Sequence, residues 1–153
     1  MQSSYHNLPE IGGFSQKSGR EYAASEVVCD ERARALQMDL SKAYDPRAGV
    51  EKWVRQASLD TDCVRIADRF RLQRESEIRL HYITPAPPVF ADGEMRFEGG
   101  VAAAFDPSLS PSVEEVALDD TLSRRWSIGR MYRVTLTGRA KEGGYTLTVR
   151  QSR

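Results

Sequence analysis

Five stretches of this sequence alternate apolar and polar residues with a period of two. That alternation constrains the fold more than any other feature. Leu36, Met38 and Leu40 alternate with Gln37 and Asp39. Val64, Ile66, Asp68, Phe70 and Leu72 alternate with Arg65, Ala67, Arg69 and Arg71. Ile78, Leu80 and Tyr82 alternate with polar neighbours, and so do Tyr132, Val134 and Leu136, then Tyr145, Leu147 and Val149. In a strand, successive side chains point to opposite faces, so each stretch predicts a half-buried strand. Turn residues punctuate the runs at Gly12-Gly13, Lys17-Ser18-Gly19, Asp45-Pro46-Arg47-Ala48-Gly49, Asp60-Thr61-Asp62, Ala91-Asp92-Gly93 and Gly99-Gly100. Glu142-Gly143-Gly144 lies between the last two runs and predicts a hairpin. Only Ser41-Lys42-Ala43-Tyr44 and Asp119-Asp120-Thr121-Leu122-Ser123 read as short helical turns. Pro85-Ala86-Pro87-Pro88 reads as a stiff loop or an interrupted edge strand. Many short strands without a long helix predict an all-β, antiparallel two-sheet β-sandwich.

The chain has 153 residues, enough for one domain with one core. Lys plus Arg and Asp plus Glu number 22 each, so the net charge is zero. That balance argues against nucleic acid as a partner, which would need a basic excess. No apolar run approaches a membrane span, so no membrane partner is expected. Met1–His6 lacks the basic and apolar regions of a secretory signal. Location is left open: cytoplasmic, or carried by a signal in an upstream part. Cys29 and Cys63 lack CxxC spacing, which leaves two free thiols, or a disulfide in an oxidising compartment.

The N-terminal segment Tyr5-His6-Asn7-Leu8-Pro9-Glu10-Ile11-Gly12-Gly13-Phe14-Ser15-Gln16 differs in character from the alternating runs. A His-Asn pair, a short apolar stretch, a double-glycine turn and a Gln suggest one wall of an active site. Each residue also has a plain structural reading. Asn7 can hydrogen-bond local backbone in a turn, and Gln16 can be an ordinary surface residue. A zinc site needs three or four ligands, and His6 supplies one. His81 is the other histidine; it alternates with core residues and reads as a structural histidine. Asp68 interrupts an apolar face and needs a partner if buried, with Arg55 as the candidate. Trp126 and Tyr132 are expected in the core, with Arg124, Arg125, Arg130 and Arg133 solvated or locally paired. Neither a nucleophile elbow nor a phosphate-binding loop is present.

Taken in order, several segments resemble the C-terminal β-sandwich region of the heparinase II/III-like polysaccharide lyases. They are His6-Asn7, Ile11-Gly12-Gly13 and Gln16, then Asp39-Leu40-Ser41-Lys42-Ala43-Tyr44-Asp45-Pro46. Trp53-Val54-Arg55-Gln56-Ala57 comes next, then Val64-Arg65-Ile66-Ala67-Asp68-Arg69-Phe70, Leu80-His81-Tyr82 and Trp126–Arg133. The resemblance implies β-elimination on an anionic, uronic-acid polysaccharide, in a cleft between this sandwich and an upstream α/α toroid. It implies that residues 1–153 are a single domain, the C-terminal part of a larger lyase whose catalytic toroid lies outside this chain. Alone, such a domain would not be catalytically competent. The resemblance matches His6 to a family metal ligand and places Asn7 and Gln16 on the substrate side. No cofactor is expected in this chain itself, while zinc is possible in the intact enzyme. A parent of this family would be periplasmic or secreted. The alternative is a non-catalytic carbohydrate-binding or interaction module with the same sandwich fold.

Overall fold

The computed structural model of the chain describes residues 5–151. Met1–Ser4, part of the stretch compared with a secretory signal, and 152–153 lie outside the described residues. The strands are β1 (Pro9–Ile11), β2 (Ser25–Asp30), β3 (Ala35–Asp39), β4 (Val50–Leu59) and β5 (Cys63–Thr84). They continue with β6 (Val89–Ala91), β7 (Glu94–Phe97), β8 (Val101–Phe105), β9 (Ser110–Ala117) and β10 (Arg130–Gln151). One helix, α1 (Asp120–Trp126), links β9 to β10. Among the described residues no helix is long and apolar enough to cross a membrane.

All strand pairs are antiparallel, in the order β2-β3-β4-β5-β10-β8-β7-β6. β1 adds to the second half of β5, and β9 to the first half of β10. The all-β expectation holds, with one change of topology. The sandwich is a single folded sheet, because β5 and β10 are each 22 residues long and belong to both layers. Ala140 pairs with Ser76 and Glu142 with Arg71, so Lys141 stands opposite the stretch Leu72–Glu75. Such a bulge bends the ladder and increases its twist. Residues 63–72 and 142–150 lie in one layer with β2, β3, β4 and β8. Residues 76–84 and 130–140 lie in the other with β1 and β9.

The hairpin expected at Glu142-Gly143-Gly144 does not form. Gly143 and Gly144 stay within β10 and pair with Phe70 and Arg69. A Cβ on Gly144 would stand 2.7 Å from the Asp68 carbonyl oxygen. Gly144 permits close backbone approach beside a bulge, and Gly143 takes a φ of 149°, rather than the pair reversing the chain. The two runs at Val64–Leu72 and Ile78–Tyr82 are likewise one strand, not two. Other turns appear where expected. Gly12 and Gly13, with φ of 57° and 81°, close a two-residue turn between Ile11 and Phe14. Asp92-Gly93 closes the β6–β7 hairpin. Ser41–Ala43 and Pro46–Ala48 are short 3-10 turns.

The core lies between the layers. Trp53 and Phe70 stack with ring centroids 4.8 Å apart, and Tyr145 tilts against Phe70 at 5.3 Å. Ile11, Leu72, Ile78, Val134 and Leu136 are fully buried around them. Gly138 on one layer faces Tyr145 on the other, where an added Cβ would meet the phenol oxygen at 2.6 Å.

Trp126 is not a core residue. Asp119 caps α1 by accepting from the backbone N–H of Thr121 and Leu122, at 2.9 and 2.8 Å. The helix lies on the outside of the sandwich with no buried residue, and Trp126 at its end is 60% exposed. Its sequence position suggested entry into a strand; the helix runs on through it instead. Tyr132 does share a face with Val134 and Leu136, but it is half-buried and its hydroxyl reaches Glu115. Arg130 pairs with Glu115 and Arg133 with Glu114, as expected of locally paired arginines. Cys29 and Cys63 are free thiols.

Candidate functional site

The N-terminal segment is tied to the sandwich along its whole length. The ties begin at Asn7, whose Oδ1 accepts from the backbone N–H of Ile83 at 2.9 Å. Its carbonyl accepts from Arg55 Nη1 at 2.6 Å. Leu8 O accepts from His81 N, and β1 then pairs Pro9, Glu10 and Ile11 with Leu80, Arg79 and Ile78. Proline suits this edge position because the strand needs one donor fewer. The Gly12-Gly13 turn brings Phe14, Ser15 and Gln16 back over the first layer.

Beneath the segment is a buried polar group. Arg55 and Asp68 form a two-pronged ion pair, with Nε to Oδ1 at 2.8 Å and Nη2 to Oδ2 at 2.7 Å. Trp53 Nε1 donates to the same Oδ1 at 2.8 Å. Asp68 and Arg55 face inward because both belong to the core-facing rows of their strands and are directly paired in register. Burial opposes the charge on Arg55, but the Asp68 carboxylate outweighs it and raises the guanidinium pKa. The Tyr44 hydroxyl donates to Pro9 O at 2.7 Å and receives Gln16 Nε2 at 3.5 Å. Burial holds the Tyr44 hydroxyl well above the ordinary phenol range, and burial pushes Tyr82 up to about 12 despite the nearby Arg55. Both phenols stay protonated at neutral pH, so neither is a ready base.

The outer side of the segment carries a second cluster. His81 is buried although it lies on the face opposite Leu80 and Tyr82, because β1 and Glu10 cover it. Its Nδ1 lies 3.1 Å from Thr135 Oγ1. Among the described residues its Nε2 has no hydrogen-bond partner; it sits 3.8 Å from Glu10 Oε2. Glu10 also receives Arg79 at 3.2 Å and Ser15 at 3.4 Å. Burial lowers the His81 pKa below the ordinary value, with Glu10 opposing it and Arg133 and Arg79 adding to it. A neutral imidazole is the result. The structural reading of His81 is thus half satisfied, on its Nδ1 side.

No protein-family model matches the sequence, and no curated protein matches it. Solved structures do match. A heparinase III gene product with methylated lysines superposes with a TM-score of 0.64 at 15% identity, covering 97% of this chain and 24% of that chain. A second structure of the same heparinase III gives 0.59 at 14% identity, again covering 97% of this chain and 24% of that one. The fold is that of a heparinase III domain. The chain spans 24% of the length of these heparinase III structures.

Within this heparinase III fold, the residues singled out from sequence fall into two groups. The structure brings Asn7 and Gln16 onto the same segment, where each already serves the scaffold. Asn7 bonds the distant backbone of Ile83 rather than a local turn, and Gln16 bonds Tyr44. His6 is exposed, and its carbonyl receives Leu8 N at 2.8 Å. The described residues hold no cluster of three His, Cys, Asp or Glu side chains suited to a metal. Sequence reasoning paired Arg55 with Asp68 but missed Tyr44, Trp53 and Glu10. A signal for Glu10 existed: it is the polar member between Pro9 and Ile11, on the same face as His81 once β1 pairs with β5.

Proposed function

We propose that this chain is the C-terminal β-sandwich domain of a heparinase II/III-like polysaccharide lyase that cleaves uronic-acid polysaccharides by β-elimination. The likeness to heparinase III over 97% of the chain carries the reading. The chemistry requires neutralising the sugar carboxylate, removing the adjacent proton and protonating the leaving oxygen. Tyr44 and Tyr82 are buried and protonated, and His81 is buried. In this reading the proton-transferring groups come from a partner α/α toroid. The part played by this domain is to hold the segment His6–Gln16 rigidly at the cleft wall, with Asn7 and Gln16 on the substrate side.

In the intact enzyme, His6 would be one ligand of a zinc centre. The described residues do not fit a complete site, since no second and third ligand gather near it. Any such centre would take its other ligands from outside these residues.

The exposure of Trp126 favours a second reading, a non-catalytic carbohydrate-binding module. An accessible indole offers a face on which a sugar ring can stack.

The test is to express the complete reading frame that contains this chain and assay it on a panel of uronic-acid polysaccharides. Unsaturated uronate product, read by ultraviolet absorbance, is expected from the complete protein and not from residues 1–153 alone. Turnover by the isolated chain would refute the division of labour. No turnover by the complete protein, with oligosaccharide binding lost in Trp126→Ala, would establish the binding module instead.

A further inference from the structure

We propose that the outer face of the first layer is a binding site for an anionic oligosaccharide, held by Arg65 and Arg69. The site lies on the opposite side of the sheet from the Arg55–Asp68 pair, because odd and even residues of β5 point to opposite faces. It is a shallow groove of about 690 Å³ over β3, β4, β5 and β10, continuous with a second hollow of about 420 Å³. Gln56, Ala67, Arg69 and Gly144 belong to both hollows.

The charge in this groove is one-sided. Lys52, Arg65, Arg69 and Arg71 line it, and the one carboxylate among the lining residues is Asp68, which is bound to Arg55 on the inner face. Lys52 is neutralised by Asp39 and Glu26, at 2.7 and 2.9 Å, and Arg71 by Glu51 at 2.8 Å. Arg65 and Arg69 make no ion pair and no side-chain hydrogen bond with any described residue. Two uncompensated guanidinium groups therefore project from one strand, four residues apart, or about 13 Å along it.

The floor between them is suited to a sugar. Gln37, Gln56, Ala67 and Thr146 stand side by side in register across four strands. Ala67 and Gly144 are small enough to leave room above the sheet. Two amides and a hydroxyl offer both donors and acceptors to ring hydroxyls. Guanidinium forks match carboxylate and sulfate oxygens two at a time. A nucleic acid fits less well. The aromatic residue at this lining, Phe70, is stacked in the core between Trp53 and Tyr145, so no platform for bases is available. The groove's own chemistry carries this site, independently of the lyase reading.

The experiment is calorimetric titration of the 153-residue chain, at low ionic strength, with a heparin hexasaccharide and with hexaguluronate. Binding of either, weakened about tenfold or more in the Arg65→Gln/Arg69→Gln double variant, is expected from losing two charge-assisted contacts. Binding of the heparin probe alone supports the site with sulfate as its anion. A control with Arg32→Gln/Arg34→Gln, on the β2–β3 turn, should bind like the parent. Thermal unfolding verifies that each variant is folded. Gln56→Glu, which places a carboxylate on the floor without touching either arginine, should weaken binding as well. The proposal is overturned if the parent chain binds neither hexasaccharide, or if both variants bind unchanged. It is also overturned if a single-stranded DNA of equal charge binds as tightly and depends on the same arginines. Activity of the complete reading frame bears on the lyase reading and leaves this result untouched.

Discussion

Arg55 and Asp68 meet face to face across β4 and β5, and the same guanidinium reaches on to the carbonyl of Asn7 at 2.6 Å. One buried charge pair thus joins the core of the first layer to the segment that carries the candidate site. The indole of Trp53 completes the carboxylate's coordination. Loosening this pair would loosen the segment.

Breaking the pair from one side should be severe. Asp68→Asn or Arg55→Met leaves the remaining partner buried and uncompensated, at a cost of about 3–5 kcal/mol. Replacing both, as Arg55→Met/Asp68→Leu, should recover much of that loss, because no charge is then left alone. Urea denaturation of the three variants checks this. A double variant as unstable as the worse single one would show that the pair does more than neutralise itself.

Stability should fall on acidification because of His81. Burial lowers its folded pKa below the unfolded value of about 6.5. Between those two values the unfolded chain binds more protons, so unfolding becomes easier as pH drops. The contribution is fully present above pH about 6.5 and is lost as pH falls through the folded pKa. His81→Gln should show a shallower loss between neutral and mildly acidic pH in chemical denaturation. Parallel pH profiles for the two proteins would contradict this.

The bulge predicts an intolerance at Gly144. An alanine Cβ would collide with the Asp68 carbonyl oxygen, which is backbone and cannot swing away. Gly144→Ala should cost about 1–3 kcal/mol, as overpacking does. Gly99→Ala offers a contrast: nothing lies near its Cβ, though its φ of 86° still strains an alanine. Comparing both with the parent by thermal unfolding separates collision from backbone strain; equal losses would remove the close approach as the cause.

The two tryptophans should behave oppositely. Trp53 is fully buried, stacked on Phe70 and bonded to Asp68, so Trp53→Ala should cost about 3–5 kcal/mol or prevent folding. Trp126→Ala should change stability by no more than about 0.5 kcal/mol, as exposed positions do. Near-ultraviolet circular dichroism and thermal midpoints would report both. A large loss at Trp126 would mean that α1 is packed more tightly than its exposure indicates.

What the sequence determined by itself was the class of fold and most of its punctuation. The period-two runs are strands, since alternation is a local property that any half-buried strand must carry. The turns at Gly12-Gly13 and Asp92-Gly93, the helical turn from Asp119 and the short turns near Asp45 were legible for the same reason: each depends on a few adjacent residues. The Arg55–Asp68 pair was legible because a lone charge on an apolar face requires an opposite charge on the neighbouring strand.

Only the tertiary structure decided the rest. Whether Gly143-Gly144 reverses the chain or lets two backbones touch depends on Phe70 and Arg69, more than seventy residues away. Whether Trp126 enters the core depends on whether any layer lies over α1, and none does. His81 is buried where β1 pairs alongside β5 and sets Glu10 on its face, with Thr135 of β10 on the other side, a setting that no pattern around His81 encodes. Arg65 and Arg69 look like their neighbours in sequence. They stand apart because Arg71 on the same strand and Lys52 beside it on β4 have acidic partners, whereas these two pair with no acid among the described residues. Local periodicity reports which face a residue takes, while burial and charge balance are set by what long-range pairing places opposite that face.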